Sequence, residues 1–228
     1  MRAVLLDFNG TMFFDSSLHA EAWSKIYQDL HPEDTKLLDS SVVCGPNNDT
    51  ILKNMAPWLT PAERADWSEK KEEMYRRACL TKPEMTRLVP GTEAFLQYLS
   101  DSGIPYALAS ASIKSNIDFF FDVFGLDRWF EKDQVVYDDG TYPDKGAMHL
   151  EAARRLNVDL ADCLLIEDSP GSIAHAKRNG AGCIVAIGNS APVDRLFEAG
   201  ADHYMRDFSE FNCAWLQLLI QFHEFPFI

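Results

Sequence analysis

The chain has 228 residues, 46% of them apolar and 25% charged, enough for one well-packed domain plus a smaller inserted one. Its 21 basic residues stand against 35 acidic ones, a formal net charge of −14. That balance argues against nucleic acid or an anionic membrane surface as the main partner.

The first element is a short apolar run, Ala3–Leu6, which reads as a buried strand and runs directly into Asp7, Phe8, Asn9, Gly10 and Thr11. Ser16–Leu30 follows with Ala20, Trp23, Tyr27 and Leu30 on one helical face. Thr60-Pro61-Ala62-Glu63 is a capping box with proline at the first helical position, opening a charged helix toward Arg77. Residues 16–82 contain no convincing strand run and read as an all-helical insert.

Residues 92–99 form a helical pattern that stops at Gly103, and 106–109 form a second strand running into Ser110. Residues 147–156 carry Leu150, Ala153 and Leu156 at helical spacing. A third strand, 163–166, runs into Glu167-Asp168-Ser169; the helix Pro170–Arg178 then ends at Asn179-Gly180, and a fourth strand spans Cys183–Ile187. The apolar, aromatic stretch 213–228 reads as a docked last helix. The alternation predicts an α/β fold, a doubly wound and mostly parallel sheet built from 1–15 and 83–228, with 16–82 as an inserted helical domain.

The five cysteines are odd in number and none forms C-x-x-C; Cys163 and Cys183 sit in apolar runs and read as core thiols. The single arginine and short apolar run before Asp7 do not resemble a signal peptide, and no stretch is long and apolar enough to span a bilayer. A cytoplasmic location is the expectation.

The chemistry collects at strand ends. Three apolar runs deliver Asp7, Ser110 and Glu167-Asp168 to what would be one edge of a parallel sheet, the edge at which ligands bind in such folds. Asp7, Glu167 and Asp168 are hard oxygen donors suited to Mg²⁺, and an aspartate can also attack phosphorus to give a covalent aspartyl phosphate. The Gly10-Thr11 turn offers backbone N–H groups and Ser110 a hydroxyl to phosphate oxygens. Lys145, on the segment Tyr142-Pro143-Asp144-Lys145-Gly146 before a helix, is the candidate to offset the charge.

These residues resemble the haloacid dehalogenase-like superfamily along nearly the whole chain. Asp7-Phe8-Asn9-Gly10-Thr11 looks like its first motif, Ser110 its second, Lys145 its third, and Glu167-Asp168-Ser169 with Gly171 its fourth. The insert after the first motif is similar to the family's C1 cap. Leu88-Val89-Pro90-Gly91, residues 106–112, His19, Trp23 and Gly45 carry a closer likeness to beta-phosphoglucomutase and related sugar phosphatases. The resemblance implies a Mg²⁺-dependent phosphatase acting on a small phosphorylated metabolite, plausibly a sugar phosphate; a monomer is the default expectation, with the oligomeric state left open by the sequence. Asp7 would be the nucleophile. Mg²⁺ would be held by Asp7, the Asn9 carbonyl, Glu167 and Asp168. Gly10, Thr11, Ser110, Ala111 and Lys145 would bind phosphate, while Ser112, and from the cap His19, Trp23 and Gly45, would face the substrate.

Three features depart from the family pattern. Asn9 stands where a second aspartate normally serves as general acid/base, with His19 as the nearest replacement in motif terms. Asn48 aligns with an arginine that grips a distal phosphate, and Lys114 is slipped by one position from the family's lysine. Lys145 lies about two residues from its usual register. These leave a phosphoglucomutase-like phosphoryl transfer and a non-catalytic ligand-binding role as alternatives.

Overall fold

The computed structural model describes residues 1–34, 47–188, 190–212 and 214–217. Two compact units result, one of residues 1–14 with 88–228 and the other of residues 15–87.

The first unit is a six-stranded parallel sheet in the order β3-β2-β1-β4-β5-β6. Its strands are β1 (Ala3–Leu6), β2 (Tyr106–Ile113), β3 (Val136–Asp138), β4 (Cys163–Glu167), β5 (Cys183–Ile187) and β6 (His203–Met205). Ala3, Val4, Leu5 and Leu6 are all buried, as are all five residues of β4 and of β5, which is why these strands read as unbroken apolar runs. Fully burying each valine or leucine contributes about 1.5–3 kcal/mol. The central strands thus anchor the sheet, and strand order reverses at β1. On one face lies a cluster that includes Leu5, Met148, Ile173 and Ile184; elsewhere Phe8 stacks on Phe120 at 4.3 Å and meets Phe124 and Phe13 edge-on or tilted. Cys163 and Cys183 are buried free thiols, as expected of core residues.

The second unit holds α1 (Ser16–Leu30), α2 (Asn48–Met55) and α3 (Pro61–Thr81). Thr60 and Glu63 form the reciprocal capping box that starts α3, with Glu63 Oε2 accepting from the Thr60 N–H at 2.8 Å. The core of this unit is Trp23, Ile26, Ile51, Leu52, Ala56 and Leu59. The buried face of α1 is Leu18, Ala22, Trp23 and Ile26, rotated from the stripe through Ala20, Tyr27 and Leu30 that periodicity suggests. Tyr27 instead donates its hydroxyl to Asp34 at 2.5 Å.

The remaining helices are α4 (Thr92–Asp101), α5 (Lys114–Phe124), α6 (Lys145–Arg155), α7 (Pro170–Arg178) and α8 (Val193–Ala199), all in the sheet unit. In α6 the buried side is Met148, His149, Ala152 and Ala153; of the stripe expected through Leu150, Ala153 and Leu156, Ala153 is buried and Leu156 packs against the core, while Leu150 is 47% exposed. Most of the stretch 213–228, expected as a docked helix, lies outside the described residues.

Candidate active site

The reversal of strand order at β1 opens a crevice at its carboxyl end, and Asp7 is the first residue past that end. Register sets its neighbours. Leu6 pairs with Ile166 and with Leu108, and the Asp7 N–H donates to the Ile166 carbonyl at 3.1 Å, so Asp7 lies beside Glu167 and near the end of β2. Carboxylate oxygens of Asp7, Glu167 and Asp168 all lie within 4.8 Å of one another, and all three residues are buried.

Lys145 completes the cluster. Its ammonium donates to Asp7 Oδ1 and lies 3.5 Å from Glu167 Oε1. It does so as the first residue of α6, with the Asp144 carboxylate accepting from the Ala147 N–H at 3.0 Å as the N-cap. The sequence reading had it on the preceding loop. The helix instead starts at the lysine, and the close packing behind it requires Gly146: a Cβ there would lie 2.6 Å from Asn179 Nδ2.

His149, one turn further along α6, meets Glu167 Oε1 with Nε2 at 2.8 Å, and both side chains are buried. Lys145 and His149 therefore bracket Glu167 from a single helix face at i, i+4 spacing. Sequence reasoning passed over His149. The signal was there: a polar residue four positions from the lysine, on the side of the helix shared with Ala152 and Ala153.

The electrostatics follow from burying three acids around one ammonium. Burial pushes the Asp7 carboxyl up to about 7 against the pull of Lys145, with the Glu167 charge adding to the rise. Burial acts on Glu167 too, but Lys145 and His149 outweigh it and bring its pKa down to about 2. Burial, then the Asp7 and Glu167 charges, hold Asp168 well above the usual carboxylate range, while the Ser190 hydroxyl opposes them. Lys145 is raised because Asp7 and Glu167 overcome the desolvation of its ammonium. An all-oxygen cluster with surplus buried negative charge is a donor set that fits a hard divalent cation such as Mg²⁺.

Asn9 sits partly buried on the loop after β1. Its Oδ1 accepts from Ser112 Oγ at 2.6 Å and from Ser110 Oγ at 3.4 Å, and the Ser112 N–H donates to Ser110 Oγ at 3.2 Å. Ala111 is exposed between them. Gly10 has φ +75, and a Cβ there would collide with the Asp168 carboxylate, so the close approach of this turn to Asp168 requires glycine. The Gly10 N–H donates to the Phe13 carbonyl at 2.7 Å and the Thr11 N–H to the Phe8 carbonyl at 3.2 Å. This corrects the expectation that these two amides cradle phosphate: they close their own turn.

In the helical unit, His19 is stacked on Tyr75 at 3.9 Å, with Nδ1 2.7 Å from Lys71 Nζ and Nε2 3.1 Å from Asp15 Oδ2. Trp23 is packed in the core of its own unit. Asn48 donates to Ser68 Oγ at 3.0 Å and Glu72 Oε1 at 2.7 Å, and in the sheet unit Lys114 pairs with Asp118 at 2.7 Å. Gly45 lies outside the described residues.

The comparisons agree with this architecture. The family model of the haloacid dehalogenase-like hydrolases matches residues 1–180. A Bacillus subtilis protein named "Putative phosphatase YhcW" is 27% identical over 222 residues, 95% of this chain and 96% of that one. The crystal structure of a family IA, variant 3 hydrolase from Entamoeba histolytica superposes with a TM-score of 0.87 at 26% identity, covering 97% of this chain and 100% of that one. An aspartate-to-asparagine mutant of CbbY from Rhodobacter sphaeroides, in complex with xylulose-(1,5)bisphosphate, shares the fold at TM-score 0.76 and 20% identity, covering 92% and 96%. The chain belongs to the haloacid dehalogenase-like hydrolase family and is an enzyme of that type. No described helix is long and apolar enough to cross a membrane.

Proposed function

We propose that this hydrolase is a Mg²⁺-dependent phosphatase that acts on a small phosphorylated metabolite through an aspartyl phosphate on Asp7. The observation that carries the reading is the Lys145 ammonium bridging Asp7, just past β1, and Glu167, the last residue of β4, with Asp168 following directly and Ser110 in the neighbouring β2. In this reading an Asp7 oxygen attacks phosphorus, and Lys145 offsets the charge that nucleophile and phosphoryl group bring together. On substrate binding the Ser110 hydroxyl would turn from Asn9 Oδ1 to donate to a phosphoryl oxygen. Asp7, Glu167, Asp168 and the Asn9 carbonyl would hold Mg²⁺, which would supply positive charge to offset that of the phosphoryl group. His149 keeps Glu167 aimed at Lys145.

Residues 15–87 are the family's cap in this proposal, the part that selects substrate. Two observations favour hydrolysis over a mutase that must hold a second phosphate. Lys114 is paired with Asp118, and Asn48 is turned to Ser68 and Glu72. The similarity to the Bacillus subtilis protein supports phosphatase chemistry.

The test is a phosphomonoester panel assayed with Mg²⁺, together with intact mass of the acid-quenched protein. Phosphate release, and a phosphate adduct that Asp7→Asn abolishes, are expected. An adduct that survives Asp7→Asn would move the nucleophile elsewhere. Isomerised sugar phosphate without phosphate release would replace the phosphatase by a mutase.

A further inference from the structure

The proton inventory of the site points to its substrate class. The side chains that follow the nucleophile around the rim are an amide and two hydroxyls. Ser112 Oγ and Ser110 Oγ both donate to Asn9 Oδ1, which fixes the carboxamide with its oxygen as acceptor. Neither an amide nor an aliphatic hydroxyl gives up a proton near neutral pH. The carboxyl groups are otherwise engaged: Asp7 as nucleophile, Glu167 between Lys145 and His149, Asp168 in the metal cluster. His19, the imidazole that the sequence offers in compensation, has both ring nitrogens engaged within its own helical unit, one with Lys71 and one with Asp15.

A departing alkoxide needs a proton in the transition state, whereas a carboxylate, enolate or phenolate leaves as a stable anion. Resting on the phosphatase reading, we propose that this site is selective for phosphoryl donors whose leaving oxygen is stable as an anion, the acyl, enol and aryl phosphates, over esters of ordinary alcohols. In the first step an Asp7 oxygen forms a bond to phosphorus while the bond to the leaving oxygen breaks. The electron pair departs with that oxygen, which takes a proton from solvent afterwards. In the second step water attacks phosphorus, the bond to the Asp7 oxygen breaks, the carboxylate is restored, and both protons of the water remain on inorganic phosphate. Among the described residues no unengaged base faces this step either, so the aspartyl phosphate accumulates between the two.

The test uses the full chain with Mg²⁺ and three donor types: acetyl phosphate, a series of ring-substituted phenyl phosphates, and glucose 6-phosphate as the alcohol ester. In the native chain kcat/KM should fall steeply as the pKa of the leaving group rises. Acid-quenched samples with acetyl phosphate should carry a phosphate adduct. Asn9→Asp should flatten the slope, raise glucose 6-phosphate turnover relative to acetyl phosphate by about 10²–10⁴-fold, and shorten the life of the adduct. A native chain that hydrolyses glucose 6-phosphate as readily as acetyl phosphate would overturn the substrate class while leaving the phosphatase intact, as would a slope unchanged by Asn9→Asp in a variant with native melting. Absence of both adduct and phosphate release with every donor, in the native chain and in Asn9→Asp, would instead sink the phosphatase reading itself. The phenyl series on the native chain decides the matter even if Asn9→Asp fails to fold.

Discussion

Lys145→Ala tests the charge arrangement most directly, because it removes the single ammonium from a buried group of three carboxyls. At 3.5 Å from Glu167 Oε1, an ammonium interacts with one carboxylate by about 5 kcal/mol at an effective dielectric near 20. The contact with Asp7 is closer still. Desolvating the ammonium offsets part of this, and breaking a buried pair typically destabilises by about 3–5 kcal/mol. The effect should depend on pH. Glu167 is held down at about 2 by Lys145 and His149, so its contribution is present above its unfolded pKa and would be lost only as pH falls through about 2. Without Lys145 that pKa rises. Asp7, already pushed up to about 7 by burial, and Asp168, raised for the same reason, go higher again. Carboxyls with raised native pKa values lose stability as pH rises from the unfolded value through the native one. Denaturant unfolding of the metal-free protein should therefore show a loss near 3–5 kcal/mol at pH 8 that shrinks toward pH 5.5. A parallel assay with acetyl phosphate should show kcat lower by roughly 10²–10³. A loss below about 1 kcal/mol at pH 8, or one that does not vary with pH, would refute the reasoning.

Three further outcomes are expected. His149→Phe should weaken Mg²⁺ binding by about 10–100-fold, read as the Mg²⁺ concentration needed to raise the melting temperature, and His149→Gln should recover part of it through its side-chain N–H. Equal weakening by both variants would make His149 a packing residue. Mg²⁺ should raise the melting temperature more at pH 8 than at pH 5.5, because Asp7 and Asp168 must shed the protons that burial favours before they ligate; the opposite trend would place the metal elsewhere. Thr60→Ala should cost the helical unit about 0.5–2 kcal/mol, seen as faster amide exchange in the first turn of α3, and unchanged exchange there would deny the capping box its role.

The parallel sheet was legible because its four central strands are short apolar runs, three of which lead into acids or a serine. The edge strands were not. Val136–Asp138 and His203–Met205 are three residues each, too short to carry a pattern and partly polar where they face solvent. Helix positions were read better than helix rotations. On α6 Leu150 points outward, because Lys145 and His149 must turn toward Glu167 and carry Met148 and Ala152 inward with them. The site, not the apolar moment, sets how that helix is rolled. On α1 the polar hydroxyl of Tyr27 draws it to Asp34 and leaves Leu18 and Ile26 to fill the core.

The same contrast divides the site residues. Acids at strand ends can be read from a sequence because strand direction alone gathers them at one edge, as with Asp7, Glu167 and Asp168. A residue's availability cannot, because it depends on who else reaches it. Gly10 and Thr11 satisfy the pattern of a phosphate-binding turn, yet their amides close that turn internally. His19 has the chemistry to replace a missing acid, yet Lys71 and Asp15 take its two nitrogens. Asn9 follows the same logic in reverse. Its side chain is not merely an aspartate without a charge, since two serines donate to its oxygen and hold it as a neutral acceptor. An aspartate in that cradle would have its ionised form stabilised by the same hydroxyls, which lowers a carboxyl pKa. Asn9→Asp should therefore supply a base for the water step as well as an acid for the leaving group. The life of the aspartyl phosphate should shorten with that substitution, alongside the gain with alcohol esters.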